Sequence, residues 1–149
     1  MKRAFVVWSV IVAWVVGMGI AQEKKVALKD LPPAAQKTVQ EQLKGAQFKG
    51  LSQETENGKT AYELETTVNG KTRDTLIDAN GAILEVEEAT TLDAIPAPAR
   101  AAIEKAAAGG KIRTVETVTK GGKVYYEAAI TKAGKSSEIQ VTADGATVR

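Results

Sequence analysis

Residues 58–71 read GKTAYELETTVNGK, and residues 122–135 read GKVYYEAAITKAGK. Each stretch is a run of strand-forming residues that begins and ends with a glycine–lysine pair. In the first stretch Tyr62 and Leu64 alternate with two glutamates, so one face of the strand is apolar and the other is charged. Glycines at both ends of such a run are typical of tight hairpin turns. The two stretches therefore predict antiparallel strands with one buried face.

Both stretches belong to a longer internal repeat. Residues 31–85 align with residues 95–149 without a gap, at a constant offset of 64 residues. The identities fall mainly at turn and core positions, such as Pro32 and Pro96, Gly45 and Gly109, Tyr62 and Tyr126, and Gly81 and Gly145. A repeat of this length indicates one small supersecondary unit that is used twice.

Each repeat is predicted to open with a helix. Prolines lead into residues 34–44 in the first repeat and into residues 99–108 in the second, and proline is well tolerated in a first helical turn. Ala35, Val39 and Leu43 recur at intervals of four and form one narrow apolar stripe. We therefore expect each helix to cover a sheet with that stripe and to leave its other face in solvent.

Four strands are predicted to follow the first helix, at residues 48–54, 60–67, 72–78 and 83–87. They are separated by Asn57-Gly58, Asn69-Gly70 and Asn80-Gly81. Asn-Gly favours a type I′ hairpin turn, which needs a positive φ at both central residues. The fourth strand of the second repeat is short, at residues 147–149, and is expected to pair weakly. The sequence thus predicts an α+β protein of two tandem αββββ repeats, each a helix packed on an antiparallel sheet.

Residues 1–21 have the pattern of a secretory signal peptide. Lys2 and Arg3 precede an almost wholly apolar stretch, and Gly19 and Ala21 place small residues before a cleavage site at Gln22. An uncleaved membrane anchor is the alternative, because the apolar stretch approaches the roughly 20 residues that span a bilayer. We expect cleavage, export to the periplasm or beyond, and two mature repeats at residues 22–88 and 89–149.

The composition excludes several classes of function. The chain contains no Cys, which rules out disulfides and thiolate metal sites, and it contains no His. It has 20 basic and 18 acidic residues, and Lys2 and Arg3 account for the whole excess. A near-neutral mature chain lacks the basic footprint of a nucleic-acid-binding protein. We therefore expect no nucleic-acid partner, no cofactor, and no membrane contact beyond the signal segment.

The motifs of the two repeats resemble a known family. They comprise a helix opened by a hydrophobic residue and proline, a Gly-Lys turn, Tyr-Glu in the next strand, a second Gly-Lys turn and a final Asn-Gly or Asp-Gly turn. This pattern resembles the PepSY-like family, and the tandem pair resembles the architecture of secreted beta-lactamase inhibitor proteins. The resemblance covers nearly all of residues 22–149. It implies an exported, non-catalytic module that binds or restrains another exported protein, such as a peptidase.

The residues themselves also favour binding over catalysis. His and Cys most often supply a base or nucleophile near neutral pH, and both are missing from the sequence. The partner is expected on the sheet face opposite the helices. The candidate binding residues, whose side chains alternate with the predicted core, are Glu63, Glu65, Tyr125 and Glu127.

A low-affinity metal-ion or small-ligand site is the alternative function. Asp78 and Asn80 stand at a tight turn and Glu85 follows, so oxygen ligands lie close together in sequence, as in a Ca²⁺ loop. The second repeat carries Thr142 and Arg149 at the Asp78 and Glu85 positions. A turn without a metal explains the same residues.

Overall fold

The computed structural model describes residues 22–56 and 58–148. Within these two ranges the strands are β1 (Gln22–Lys25), β2 (Gln47–Glu56), β3 (Lys59–Val68), β4 (Lys71–Asp78), β5 (Ile83–Ala89), β6 (Lys111–Lys120), β7 (Lys123–Lys132) and β8 (Lys135–Val141). The two helices are α1 (Pro33–Gln42) and α2 (Ala97–Ala107), each preceded by a short 3-10 turn, at Leu28–Asp30 and Leu92–Ala94. The predicted signal peptide lies outside the described residues. Within those residues, the helices are too short and too polar to cross a membrane.

All eight strands form one antiparallel sheet in the order β1 to β8, so every strand lies beside its neighbours in the chain. The predicted α+β class and the two helix-plus-four-strand units are confirmed, and β5 joins them because it pairs with both β4 and β6. In the second repeat the described part of the fourth strand, which ends at Val148, forms an isolated bridge between Val141 and Thr147. The pairing of this strand is as weak as we expected from its short length.

The first strand was not predicted from the sequence. β1 precedes the first helix and pairs with β2, with Gln22 opposite Thr55. Val86 stands opposite Thr119 in the same way, 64 residues further on. β1 therefore holds the same position beside β2 that β5 holds beside β6, and the structural repeat begins one strand earlier than the sequence pattern indicated.

The internal repeat extends to irregular features of the strands. The register shifts between Phe48 and Gly50 on β2, and it shifts again between Ile112 and Thr114 on β6. A β-bulge bends its strand and increases the local twist. Since both bulges lie at equivalent positions, the two halves of the sheet curve in the same way.

Each helix covers its own core on one face of the sheet. The two cores contain fully buried aliphatic side chains from the helix and the strands, among them Val39, Leu64 and Ile77 in the first and Ile103, Ala128 and Val141 in the second. Tyr62 is buried in the first core, whereas the equivalent tyrosine, Tyr126, is only half-buried against the second. The strand register inferred from alternation is confirmed. The expectation that both tyrosines are full core residues holds only for Tyr62.

The turn after β4 differs from the type I′ turn that its Asn-Gly pair predicted. Asn69 and Gly70 both have positive φ, of 51° and 80°. At the β4–β5 turn only Gly81 does, with φ of 81°. The Asp78 carboxylate accepts hydrogen bonds from the backbone N–H groups of Asn80 (2.8 Å) and Ala82 (2.9 Å), and this capping sets a different turn geometry.

Candidate functional site

The sheet face opposite the helices is lined by carboxylates. We call it the open face. Alternation along β3 turns Tyr62 and Leu64 toward the helix and the glutamates between them toward the open face. Strands β3 to β8 each contribute at least one acidic side chain there. We call this set the acidic stripe: Glu63, Glu65, Asp74, Glu87, Glu116, Glu127 and Glu138.

The acidic stripe lines one cavity of about 480 Å³. The lining runs from Lys49 on β2 to Glu138 on β8. In a flat sheet these two strands would be roughly 29 Å apart, because neighbouring strands are spaced by about 4.8 Å. The cavity therefore extends across most of the width of the sheet.

Burial and mutual repulsion raise the pKa of three acidic side chains of the stripe, Asp74, Glu116 and Glu138. Burial, followed by the charge of Glu65, raises the pKa of Asp74 to about 6. Burial, then Asp74 and Glu127, raises the pKa of Glu116 to about 7. Burial, then Glu127 and Glu116, raises the pKa of Glu138 to about 7. Asp74, on β4, and Glu116, on β6, repel each other across the intervening strand. The pKa of Glu116 in the second repeat therefore depends on the charge of Asp74 in the first.

Three further glutamates have raised pKa values for the same reasons. Burial is the first cause for Glu63, followed by repulsion from Glu54, Asp74 and Glu65. For Glu87 the causes of the raised pKa, largest first, are burial, a hydrogen bond with Glu85, and repulsion from Glu116 and Glu127. For Glu127 burial prevails over a 2.9 Å hydrogen bond from the Gln140 side chain, which acts in the opposite direction. At neutral pH the open face thus retains protons or carries several repelling charges.

Positive charge approaches the stripe at its margin. The Lys120 ammonium group lies 2.7 Å from the Glu85 carboxylate, and Lys49 lines the cavity from β2. Both lysines are exposed residues. Solvent screens such exposed charges, so the centre of the stripe gains little from them.

Three of the four predicted partner-binding residues lie together in this cavity. Glu63, Glu65 and Glu127 are members of the acidic stripe. Tyr125 is on the same face of β7, opposite Val118 on β6, and is half-buried. It lies beside the cavity and is not among the side chains that line it.

The predicted metal ligands have separate partners. The Asp78 carboxylate caps the β4–β5 turn, and Thr142 acts in its place in the second repeat, where its hydroxyl oxygen accepts a hydrogen bond from the Ala146 N–H group at 3.1 Å. Glu85 forms its ion pair with Lys120 on the open face. These contacts support the turn interpretation of Asp78 and Asn80, and metal binding there stays a prediction.

Alternation within one repeat missed four members of the stripe: Asp74, Glu87, Glu116 and Glu138. The 64-residue offset contains a signal for three of them. It aligns Asp74 with Glu138, Glu63 with Glu127, and Glu23 with Glu87. Acidic residues that recur at equivalent positions of the two repeats are a pattern that the sequence itself contains. Glu116 has no such signal, because Ser52 is its equivalent in the first repeat.

Comparison with solved structures places the fold among bacterial proteins of Bacteroides. A protein of Bacteroides eggerthii described as a candidate periplasmic protein has a TM-score of 0.65 and 17% identity, with 80% of this chain and 86% of that chain covered. A DUF2874 family protein from Bacteroides uniformis has a TM-score of 0.63 and 17% identity, with coverages of 79% and 86%. A BLIP-like protein from Bacteroides fragilis has a TM-score of 0.58 and 14% identity, with coverages of 80% and 84%.

At such identities these likenesses concern the fold. Among curated proteins, none matches the chain in sequence. The family described as peptidase propeptide and YPEB domain, PepSY, matches residues 24–87, which run from β1 through α1 to β5. Residues 24–87 are therefore a PepSY domain, and the rest of the described chain repeats its helix and its next three strands within the same sheet.

Proposed function

We propose that this protein is an exported, non-catalytic binding module that docks a basic segment of another exported protein on the open face of its sheet. The observation that carries the proposal is the acidic stripe, in which seven carboxyl groups from six neighbouring strands line one cavity. Its volume of about 480 Å³ is within the range of pockets that enclose a ligand group, and it suits a few side chains of a loop.

Arginine and lysine side chains are the groups that this cavity favours. An opposite charge within about 4–6 Å stabilises the ionised carboxylate and reverses the repulsion that now raises the pKa of Asp74, Glu116 and Glu138. The guanidinium group of arginine also donates two parallel hydrogen bonds to a carboxylate. A basic loop therefore gains more from this face than a neutral or acidic one.

A binding role agrees better with these carboxyl groups than acid–base catalysis does. Enzymes that use two carboxyl groups set their pKa values apart, so that one is a proton donor while its partner is ionised. Here Asp74, Glu116 and Glu138 are all shifted in the same direction by the same causes. When ionised, these carboxyl groups form one region of negative electrostatic potential, and such a region favours binding of a positively charged partner.

The exported location and the class of partner rest on further support. Residues 1–21 have the pattern of a signal peptide. The Bacteroides eggerthii protein of similar fold is described as a candidate periplasmic protein. The matched family is named for peptidase propeptides, and one similar fold is described as BLIP-like. We infer that the partner is an exported enzyme, such as a peptidase, which is restrained by occupation of a basic surface.

A matched pair of synthetic peptides tests the docking surface directly. One peptide alternates arginine with glycine and the other alternates glutamate with glycine. We expect the arginine peptide to bind and the glutamate peptide not to bind, with an affinity that falls as salt is added. Glu116→Gln and Glu138→Gln should weaken this binding, since each removes a charge that lines the cavity.

Glu104→Gln is the matched control. Glu104 is an exposed residue of α2, on the helix side of the sheet, and its substitution removes the same charge from the whole protein. Equal losses in Glu104→Gln and Glu116→Gln, or equal binding of both peptides, would reject the open face as the docking surface. A pull-down from exported proteins with wild-type and Glu116→Gln bait then identifies the natural partner.

A further inference from the structure

Three carboxylates converge at one end of the open face, where strands β1, β2 and β3 lie side by side. One carboxylate oxygen each from Glu23, Glu63 and Glu65 lies within 4.8 Å of the other two. Two ligands on opposite sides of a Ca²⁺ ion are about this far apart, because each Ca²⁺–oxygen distance is about 2.4 Å. The three oxygens can therefore reach one ion without rearrangement of the strands.

A glycine on the central strand gives Glu65 its position. Gly50 on β2 is the partner of Glu65 on β3, and a Cβ added at Gly50 would lie 3.1 Å from the Glu65 carboxylate oxygen Oε1. The carboxylate thus lies directly over Gly50 and extends across β2 toward Glu23 on β1. In the second repeat the equivalent of Gly50 is Thr114, and the equivalent of Glu65 is Ala129.

An unpaired hydroxyl group lies beside the three carboxylates and gives independent evidence of a ligand. Ser52 is opposite Glu63 in the β2–β3 register and is only 3% exposed. Its Oγ atom is buried without a hydrogen-bond partner, and so is Oε2 of Glu63. Buried polar atoms are rarely left unpaired, because an unpaired polar group loses its hydrogen bonds to water on burial. A cation between them would be coordinated by both atoms.

We propose that Glu23, Glu63 and Glu65, together with the Ser52 hydroxyl group, bind a divalent cation, with Ca²⁺ preferred. The ligands are all oxygen atoms, which hard cations select. Ca²⁺ accepts irregular sets of six to eight oxygens and completes them with water, whereas Mg²⁺ demands near-ideal octahedral geometry. Lys25, opposite Ser52, and Lys49, which lines the same cavity from the bulge, are both exposed, so solvent screens their positive charges.

The second repeat provides an internal comparison. Glu87 and Glu127 are the equivalents of Glu23 and Glu63, but Glu116 stands in place of Ser52, and Ala129 in place of Glu65. Among the described residues, the group formed by Glu23, Glu63 and Glu65 meets the distance condition for three convergent acidic ligands, and the equivalent set in the second repeat does not. The cation site is thus specific to the first repeat and does not depend on the proposed docking of a protein.

Calorimetric titration of residues 22–149 with CaCl₂ tests the site, at low ionic strength and pH 8.5. We expect one Ca²⁺ per chain, with affinity reduced at least about tenfold in Glu23→Gln and by a smaller factor in Ser52→Ala. Glu23 is exposed, so its substitution leaves the fold intact. Glu87→Gln is the control, since it is the same substitution at the equivalent position of the other repeat.

Retained binding in Glu87→Gln together with weakened binding in Glu23→Gln supports the site. Equal weakening in these two variants would show a diffuse counterion atmosphere around the stripe and would overturn the proposal. So would the absence of binding with Ca²⁺, Mg²⁺ and Mn²⁺ in turn. Circular dichroism of each variant confirms that the comparison is made between folded proteins.

Discussion

Gly81 lies against Ala34: a Cβ added at this glycine would come within 2.6 Å of the Ala34 carbonyl oxygen. Gly145 has the same relation to Pro98 in the second repeat, also at 2.6 Å. The Thr38 hydroxyl group completes the contact by donating a 2.7 Å hydrogen bond to the Gly81 carbonyl oxygen. The last turn of each repeat is therefore fixed to the first turn of its helix by direct backbone contact.

Gly81→Ala is expected to destabilise the protein more than Gly70→Ala. Both glycines have a positive φ, near 80°, and an alanine there costs about 1–2 kcal/mol in either turn. Only Gly81 has backbone atoms in the space that the new methyl group would occupy. Urea unfolding measures both free energies of unfolding. Equal losses would mean that the turn moves away from the helix without cost.

Ala133→Asn is expected to stabilise the protein by about 1 kcal/mol. Ala133 has a φ of 48° at the turn between β7 and β8, a conformation that alanine adopts with strain. Its equivalent in the first repeat is Asn69, with a φ of 51°, and asparagine tolerates this region. The reverse change, Asn69→Ala, should cost a similar amount. A loss of stability in Ala133→Asn would contradict this account.

Much of the fold could be predicted because the same pattern occurs twice. The predicted strand at residues 60–67 is β3, and the predicted helix at residues 34–44 is α1, each within two residues at both ends. β1 could not be predicted in this way, since Gln22–Lys25 reads QEKK and has neither alternation nor an apolar face. It forms because it pairs with the exposed edge of β2, a contact that only the assembled sheet provides.

The candidate site could be predicted only where it depends on the pattern within a single strand. Alternation along a single strand placed Glu63 and Glu65 on the open face. The proximity of Asp74 to Glu116 depends on the pairing of β4 with β5 and on that of β5 with β6. Both are tertiary features without a local sequence signal.

Tyr62→Ala and Tyr125→Ala are expected to have opposite consequences. Tyr62 is 6% exposed in the first core, and its truncation should lower the free energy of unfolding by about 3–5 kcal/mol, as for other large aromatic side chains. Tyr125 is half-buried on the open face, so Tyr125→Ala should leave the fold intact and alter partner binding instead.

Thermal melts of these two variants, beside Tyr126→Ala, check the register of the sheet. Tyr126 packs against the second core while half-buried, so its truncation should cost less than that of Tyr62. If Tyr125→Ala unfolds the protein while Tyr62→Ala does not, the assignment of the two faces is reversed.

The protein is expected to be more stable at pH 5 than at pH 8. The pKa values of Glu116 and Glu138 rise from 4.5 to about 7 on folding, so the folded state binds protons more tightly than the unfolded chain does. This contribution to stability is fully present below pH 4.5, the unfolded pKa, and is lost as the pH rises through the folded pKa near 7. Asp74, with a folded pKa of about 6, adds to the same loss.

Glu116→Gln should reduce this dependence on pH. Glutamine keeps the size of the side chain and cannot ionise, so the variant should melt at a higher temperature than the wild type at pH 8 and at nearly the same temperature at pH 5. Glu104→Gln removes a charge from the exposed face of α2 and should change neither melting temperature.

Because the repulsion acts between Glu116 and its neighbours Asp74 and Glu127, added salt should also raise the melting temperature of the wild type at pH 8. A wild-type protein that melts at a higher temperature at pH 8 than at pH 5 would contradict this prediction. It would show that basic groups already balance the negative charge of the stripe in the folded state.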